Sequence, residues 1–168
     1  MKHGSIMGYM GILDLPIHQK NKWLYEISQG MQYLHESSIV HGDLKATNIL
    51  VADNGQLKIS DFGLAVFEGN WSRNFGSQCG ENVRWMAPEI LSFHAGQHQW
   101  PTYASDVYSF AMVCIEIYTR KIPFQDIKWN QGETLEMLII GGKRPSIPAS
   151  MSEELSSHLV TWWHGSPE

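Results

Sequence analysis

The chain has 168 residues, of which 43% are apolar and 17% are charged, as is typical of a globular domain rather than a disordered segment. Its formal net charge of -5 argues against nucleic acid or an anionic membrane surface as the main partner. We therefore expect neither nucleic acid nor a membrane among the partners of this protein.

The two cysteines, Cys79 and Cys114, are far apart and form no CxxC pair. We therefore expect neither a disulfide framework nor a zinc site. We expect a reducing, cytoplasmic location. The start of the chain lacks the pattern of a signal peptide, which is a charged segment followed by an apolar run. We therefore expect no signal peptide. The longest apolar-rich segment, residues 107–118, contains Glu116 and is too short to cross a bilayer.

The first part of the chain is predicted to be a linker followed by a long helix. Residues 1–10 are rich in Gly and Met, and we expect a short linker that runs into one helical turn. Asp14 and Pro16 indicate a helix start, with Pro in the first turn. Apolar residues then recur in steps of three and four, which predicts an amphipathic helix over Ile17–Glu36.

A β-hairpin is predicted next. The apolar run Ile49–Val51 indicates a buried strand, and residues 53–55 (Asp-Asn-Gly) are typical of a hairpin turn. Leu57 and Ile59 alternate with polar residues as the returning strand would. A hairpin brings its two ends together, so residues just before and just after it are expected to be neighbours.

The rest of the chain is predicted to be a long loop followed by helices. Residues 64–86 show no period and exceed an ordinary connection in length, which is typical of functional loops. Helices are predicted over residues 87–91, 102–119, 133–140 and 152–163. The second of these is apolar nearly all round, so we expect it to be a buried central helix.

Four polar residues around the hairpin suggest phosphoryl transfer. Asp43 is a candidate general base, and Lys45 supplies a positive charge two residues later. Asn48 and Asp61 carry oxygen ligands of the kind that Mg²⁺ prefers. In phosphoryl transfer, catalysis consists mostly of positioning and of charge neutralisation, which these residue types provide.

Four motifs in this order resemble those of protein kinases. Residues 41–48 (HGDLKATN) resemble the catalytic loop, 61–63 (DFG) the metal-binding triplet, 87–89 (APE) the triplet that ends the activation segment, and 105–110 (SDVYSF) the start of the central helix. The Lys after the catalytic Asp suggests serine/threonine specificity. The stretches RWMAPE (84–89) and DVYSFA (106–111) are most similar to the tyrosine-kinase-like group.

The resemblance implies a fold and a set of roles. The fold would be mainly α, a protein-kinase-like large lobe with a short β-hairpin beside the catalytic loop. ATP and Mg²⁺ would be the cofactors, and a protein with a Ser or Thr hydroxyl would be the substrate. The implied roles involve the following residues: Asp43 as base, Lys45 at the γ-phosphate, Asn48 and Asp61 at Mg²⁺, Leu50 under the adenine, His41 and Phe62 in a hydrophobic spine, and Asp106 as a brace for the catalytic loop.

The chain also departs from the family pattern. It holds no counterpart of the Gly-rich loop, of the lysine on the third strand or of the C-helix glutamate, so the N-terminal β lobe is expected to be absent. Residues 1–168 would then form a partial kinase domain truncated at both ends. Glu89 would lack the arginine that follows Trp163 in the family, which should loosen the anchor of the activation segment.

Two substitutions lie within the motifs themselves. Gly42 replaces the usual Arg that pairs with a phosphorylated activation loop, which makes control by such phosphorylation doubtful. Asn82 stands where serine/threonine kinases often place a Thr that bonds the catalytic Asp, and its amide can still form a hydrogen bond.

Three hypotheses follow from this sequence. The first is an active serine/threonine kinase lobe. The second is a catalytically inactive kinase-like module that acts as a scaffold or regulator, with a missing N-lobe or another protein as its partner. The third is a truncated product with an open, apolar lobe interface and marginal stability.

Overall fold

The computed structural model describes residues 3–12, 15–67, 82–92, 100–128 and 131–163. The described part is mainly helical, as predicted, with six α-helices and four short strands. The helices are α1 (Ile6–Ile12), α2 (Ile17–Glu36), α3 (Pro88–Leu91), α4 (Tyr103–Thr119), α5 (Leu135–Ile140) and α6 (Glu153–Trp162). The strands are β1 (Ile39–Val40), β2 (Ile49–Val51), β3 (Leu57–Ile59) and β4 (Val66–Phe67). Within these ranges no helix combines the length and the apolar character that crossing a membrane requires.

Helix α2 has the bounds that its periodicity predicted. Its apolar stripe is buried, and the buried apolar residues are Trp23, Leu24, Ile27, Met31 and Leu34. Pro16 is the N-cap residue and so lies one position before the helix instead of in its first turn, while Asp14 lies outside the described residues. The burial of one stripe against the core stabilises the helix more than its intrinsic propensity does.

The start of the chain is more helical than expected. Instead of a linker with one turn, α1 extends over seven residues. Ile6 and Met10, four positions apart on one face, are buried in the common core. This burial explains why a Gly-rich segment with a weak pattern is nevertheless helical.

The predicted hairpin is present. Strand β2 pairs antiparallel with β3, with Ile49 opposite Ile59 and Val51 opposite Leu57. The turn is closed by a 2.8 Å hydrogen bond from Ala52 N to Gln56 O. Leu50 is only partly buried, because alternate side chains of a strand point to opposite faces, so the prediction of a wholly buried strand was wrong at this position.

A second strand pair was not predicted. Strands β1 and β4 pair antiparallel, with Ile39 opposite Phe67 and Val40 opposite Val66. The start of the loop predicted over 64–86 is therefore paired. Residues 68–81 of that loop lie outside the described part.

Helix α4 is the buried central helix that was predicted. Thr102 is its N-cap and forms a capping box with Ser105, whose backbone N donates to Thr102 Oγ1 at 3.1 Å. Helices α2 and α6 and the segment 82–86 all pack against it. The predicted helix over 133–140 is two residues shorter at its start, because Thr134 caps α5. The helix predicted over 152–163 is α6, and Ser152 is its N-cap.

Gly42 follows β1 in a conformation that favours glycine. Its φ is +76°, and a Cβ at this position would lie 3.0 Å from Leu64 O and 3.3 Å from Pro101 Cγ. Gly55 has a similar φ of +81°, with no atom within 4 Å of such a Cβ. The two glycines therefore share a backbone requirement, and only Gly42 is also in a crowded position.

We expect Gly42→Ala to destabilise the protein more than Gly55→Ala. The left-handed backbone costs a non-glycine residue about 1–2 kcal/mol at either position, and Gly42→Ala adds the close contact with Leu64 O. The measurement is the free energy of unfolding in urea for both variants and the wild type. Equal losses for the two variants would contradict the crowding of Gly42.

Candidate active site

Three of the predicted site residues lie together in the segment between β1 and β2. Asp43 is buried, and its Oδ2 lies 2.9 Å from Lys45 Nζ. Asn48 Nδ2 donates to the same Oδ2 at 3.0 Å and to Asp43 O at 2.8 Å. The Asp43 carboxylate is thus held on one oxygen by a cation and an amide.

The Asn48 amide has a defined orientation. Both hydrogen bonds from Asn48 to Asp43 come from Nδ2, which leaves Oδ1 as the oxygen that a cation could bind. The 3₁₀ turn Ala46–Asn48 places this side chain next to β2. The described geometry therefore fits an oxygen ligand at Asn48.

Asp61 reaches the same neighbourhood through the hairpin. Ser60 N and Ser60 Oγ each donate to Asn48 O at 2.9 Å, so the residue before Asp61 is fixed to the residue that carries the other candidate ligand. Asp61 itself is exposed and has a φ of +64° and a ψ of 70°, which is uncommon for a non-glycine residue. Its Oδ1 accepts a long hydrogen bond of 3.4 Å from Gly63 N. Asp61 thus has an exposed side chain and directly follows a residue that is bonded to Asn48.

Leu50, the predicted adenine contact, lies in β2 opposite Lys58. It is partly exposed and forms an isolated antiparallel bridge with Ser5. The structure places it two residues after Asn48, which lies in the preceding 3₁₀ turn, and not within the Asp43–Lys45–Asn48 cluster.

Asp106 in α4 binds the start of the segment 41–48, which resembles a catalytic loop. Its Oδ2 accepts a 2.8 Å hydrogen bond from His41 N, and its Oδ1 accepts one of 2.9 Å from Gly42 N. His35 Nε2 lies 3.0 Å from Oδ2. Asp106 is 1% exposed, so these contacts are shielded from water. The predicted brace for the catalytic loop is therefore present.

His41 is a packed histidine with one favoured tautomer. Asp43 N donates to its Nδ1 at 3.2 Å, which requires an unprotonated Nδ1, and its Nε2 then donates to Ser60 O at 3.1 Å. The His41 and Phe62 rings lie 5.2 Å apart between centroids. The predicted contact between these rings is present, although Phe62 remains 47% exposed.

Lys45 connects the catalytic loop to the segment 82–87. Its Nζ donates to Asn82 Oδ1 at 2.9 Å as well as contacting Asp43. Asn82 therefore forms a hydrogen bond, as expected of its amide, and it bonds the lysine that pairs with Asp43. The two segments border a small cleft whose lining includes Asp43, Trp85 and Met86.

Glu116 is a buried acid that the sequence analysis did not assign to the site. It is 0% exposed in the last turn of α4, and its Oε2 accepts hydrogen bonds from Ala46 N at 2.9 Å and Trp85 Nε1 at 2.8 Å. Burial raises the pKa of Glu116 to about 7, against the opposing effects of these two donors and of the Lys45 charge. A glutamate within the apolar-rich second half of this helix was the available signal.

Glu89 lies close enough to Arg144 for their charges to interact. Burial raises the pKa of the Glu89 carboxyl, and its backbone hydrogen bond and the Arg144 charge partly oppose this effect. Arg144 itself lies over the Tyr108 ring, 5.3 Å from its centroid, and donates to Trp163 O and Ile139 O at 2.9 Å each. The described part of the chain thus supplies a positive charge near Glu89.

The comparisons with known proteins agree on one family. A family model described as protein tyrosine and serine/threonine kinase matches residues 1–168. Human receptor-interacting serine/threonine-protein kinase 1 is 33% identical over 185 residues, which cover 100% of this chain and 27% of that protein. A light-sensor protein kinase of Ceratodon purpureus is 35% identical over 165 residues, with 86% of this chain and 12% of that protein covered.

A Raf homolog serine/threonine-protein kinase of Caenorhabditis elegans is 38% identical over 126 residues, which cover 73% of this chain and 15% of that protein. The chain thus spans between 12% and 27% of the length of these three relatives. The family predicted from the four motifs, most similar to the tyrosine-kinase-like group, is confirmed. The chain belongs to the protein tyrosine and serine/threonine kinase family.

Proposed function

We propose that this chain is the catalytic large-lobe part of a serine/threonine protein kinase, which transfers a phosphoryl group from Mg-ATP to a Ser or Thr hydroxyl of a protein. The observation that carries the proposal is the joint contact of Lys45 Nζ and Asn48 Nδ2 with Asp43 Oδ2, at 2.9 and 3.0 Å. A buried carboxylate held in this way is oriented before any substrate arrives.

Asp43 would act on the substrate hydroxyl. Because Lys45 and Asn48 both occupy Oδ2, the other carboxylate oxygen is the one that remains to accept the hydroxyl proton or to orient the hydroxyl. Hydrogen bonds to one oxygen also stop the carboxylate from rotating. We place the substrate hydroxyl at this free carboxylate oxygen, beside the small cleft that Asp43 borders.

Lys45 would neutralise negative charge on the group in transfer. Its side chain is 19% exposed, so the ammonium group is partly shielded from water but still accessible. Contacts with Asp43 and Asn82, which both line the cleft, hold the ammonium group in place. A fixed positive charge in a partly dry site stabilises developing negative charge better than a mobile one in water.

Asn48 and Asp61 would hold Mg²⁺, and Leu50 would lie under the adenine. Mg²⁺ prefers one or two protein oxygens, and Asn48 Oδ1 and the exposed Asp61 carboxylate are suitable donors. Bound Mg-ATP supplies the phosphoryl group. The hydrogen bonds from Ser60 to Asn48 O keep the two donor residues on neighbouring backbone.

Serine/threonine specificity is supported by two observations. Lys45 occupies the position two residues after Asp43, where tyrosine kinases usually carry other residues. Two of the three relatives above are named serine/threonine kinases. We therefore propose Ser and Thr, rather than Tyr, as the acceptor residues.

We expect Asp43→Asn to lower phosphoryl transfer by a factor of about 10²–10⁴, the usual contribution of a general base. The purified chain is incubated with radiolabelled ATP, Mg²⁺ and a mixture of Ser-, Thr- and Tyr-containing peptides, and labelled amino acids are identified after hydrolysis. Label should appear on phosphoserine and phosphothreonine.

The matched control is Asp126→Asn, since the Asp126 side chain is 78% exposed and pairs with Lys121 away from the cluster. This control should retain the wild-type rate. Absence of transfer by the wild type would reject the kinase proposal for this chain and favour the scaffold hypothesis. An Asp43→Asn variant as active as the control would reject the role of Asp43.

We expect Asp61→Asn to weaken Mg²⁺-dependent ATP binding at least about tenfold, because a lost interaction with a charged group costs about 1.5–3 kcal/mol. The measurement is calorimetric titration with ATP, with and without Mg²⁺. Asp126→Asn again serves as the control. If Asp61→Asn binds Mg-ATP as tightly as this control does, Asp61 is not a metal ligand.

A further inference from the structure

Glu116 connects two segments that border the candidate active site. Its Oε2 accepts from Ala46 N, in the segment that carries Lys45, and from the Trp85 indole, in the segment that carries Asn82. The other oxygen, Oε1, is buried and has no hydrogen-bond partner among the described residues. One atom of a fully buried side chain thus holds both segments.

The same two segments also meet nearer the surface. There, Lys45 Nζ donates to Asn82 Oδ1 at 2.9 Å. The contacts form a closed ring that runs from Lys45 through Ala46, Glu116 and Trp85 to Asn82 and back to Lys45. A change in the contacts of Glu116, the buried member of this ring, therefore alters the position of the Lys45 ammonium relative to Asp43.

We propose that Glu116 is a positioning residue for the phosphoryl transfer proposed above, and that its ionised carboxylate fixes the spacing between the segments 43–48 and 82–87. Uptake of a proton at Oε1 weakens both hydrogen bonds to Oε2 and loosens this spacing. Glu116 touches no reacting atom and acts through Ala46 and Trp85.

The charge state of Glu116 matters because charge-assisted hydrogen bonds are roughly twice as strong as neutral ones. Oε1 is the oxygen that would take the proton, since Oε2 is already an acceptor for two donors. Among the described residues, Lys45 is the charged group whose field reaches Glu116, and it favours the ionised form. Burial opposes ionisation more strongly, so the pKa of Glu116 is raised to about 7.

The direct test is an NMR pH titration of the full chain. The Trp85 indole N–H signal, assigned by its loss in Trp85→Phe, and the Ala46 amide signal should shift with one shared midpoint near the Glu116 pKa. In Glu116→Gln both signals should stay, across the whole pH range, near the position that the wild type reaches at low pH. Signals that show no shared midpoint, or that titrate equally in Glu116→Gln, would overturn the proposal.

Trp85→Phe provides a second test that does not need Glu116→Gln to fold. It removes one of the two donors that lower the Glu116 pKa, so the midpoint of the Ala46 amide should move to higher pH. An unchanged midpoint would contradict the shared contact with Oε2.

Stability supplies a further readout. The folded chain holds the Glu116 proton more tightly than the unfolded chain does. The stability of the wild type relative to Glu116→Gln should therefore fall as the pH rises from about 5 to about 8. A difference between the two urea midpoints that stays constant over this range would contradict titration of Glu116.

The last arm of the test rests on the proposed function. The wild type should lose phosphoryl-transfer activity as the pH falls below the Glu116 pKa. Glu116→Gln should instead show a low and nearly constant kcat over the same pH range. The KM for ATP should change less than kcat does. A complete lack of transfer would reject the kinase proposal and leave the NMR test of Glu116 intact. If Glu116→Gln lost activity at low pH in the same way as the wild type, the positioning role of Glu116 would be rejected.

Discussion

Two buried carboxylates on α4 hold the loop 41–48 in place, and the candidate site depends on them. Asp106 binds the backbone of His41 and Gly42, and Glu116 binds that of Ala46. The two acids are ten positions apart, about 15 Å along the helix at ~1.5 Å per residue. They therefore support the loop at both of its ends, and the helix that forms the centre of the core also determines where Asp43 lies.

This arrangement accounts for polar groups within an apolar helix. A buried carboxylate is costly unless its oxygens accept hydrogen bonds, and a loop with little secondary structure has backbone N–H groups that need acceptors. Asp106 satisfies this requirement at both oxygens, whereas Glu116 does so at one only. The raised pKa of Glu116 comes from burial, and its Oε1 is buried without a donor.

Local patterns predicted much of the fold, but not the contacts across it. The stripe of α2 and the turn of the hairpin are local signals, so both elements were predicted with nearly the observed bounds. The pairing of β1 with β4 was missed because two-residue strands are too short to show alternation. Asp43, Lys45 and Asn48 were found through their spacing and a family resemblance. The hydrogen bonds of Glu116 span 31 and 70 positions, and no local pattern encodes contacts at such separations.

The most direct test of this account is amide hydrogen exchange of the catalytic loop, measured by NMR on the full chain. If buried carboxylates hold the loop, the amides of His41, Gly42 and Ala46 should exchange about as slowly as the core amide of Val113 in α4, because they are released only by global unfolding. Loop amides that exchange as fast as the exposed turn residue Asn54, while Val113 stays protected, would contradict it.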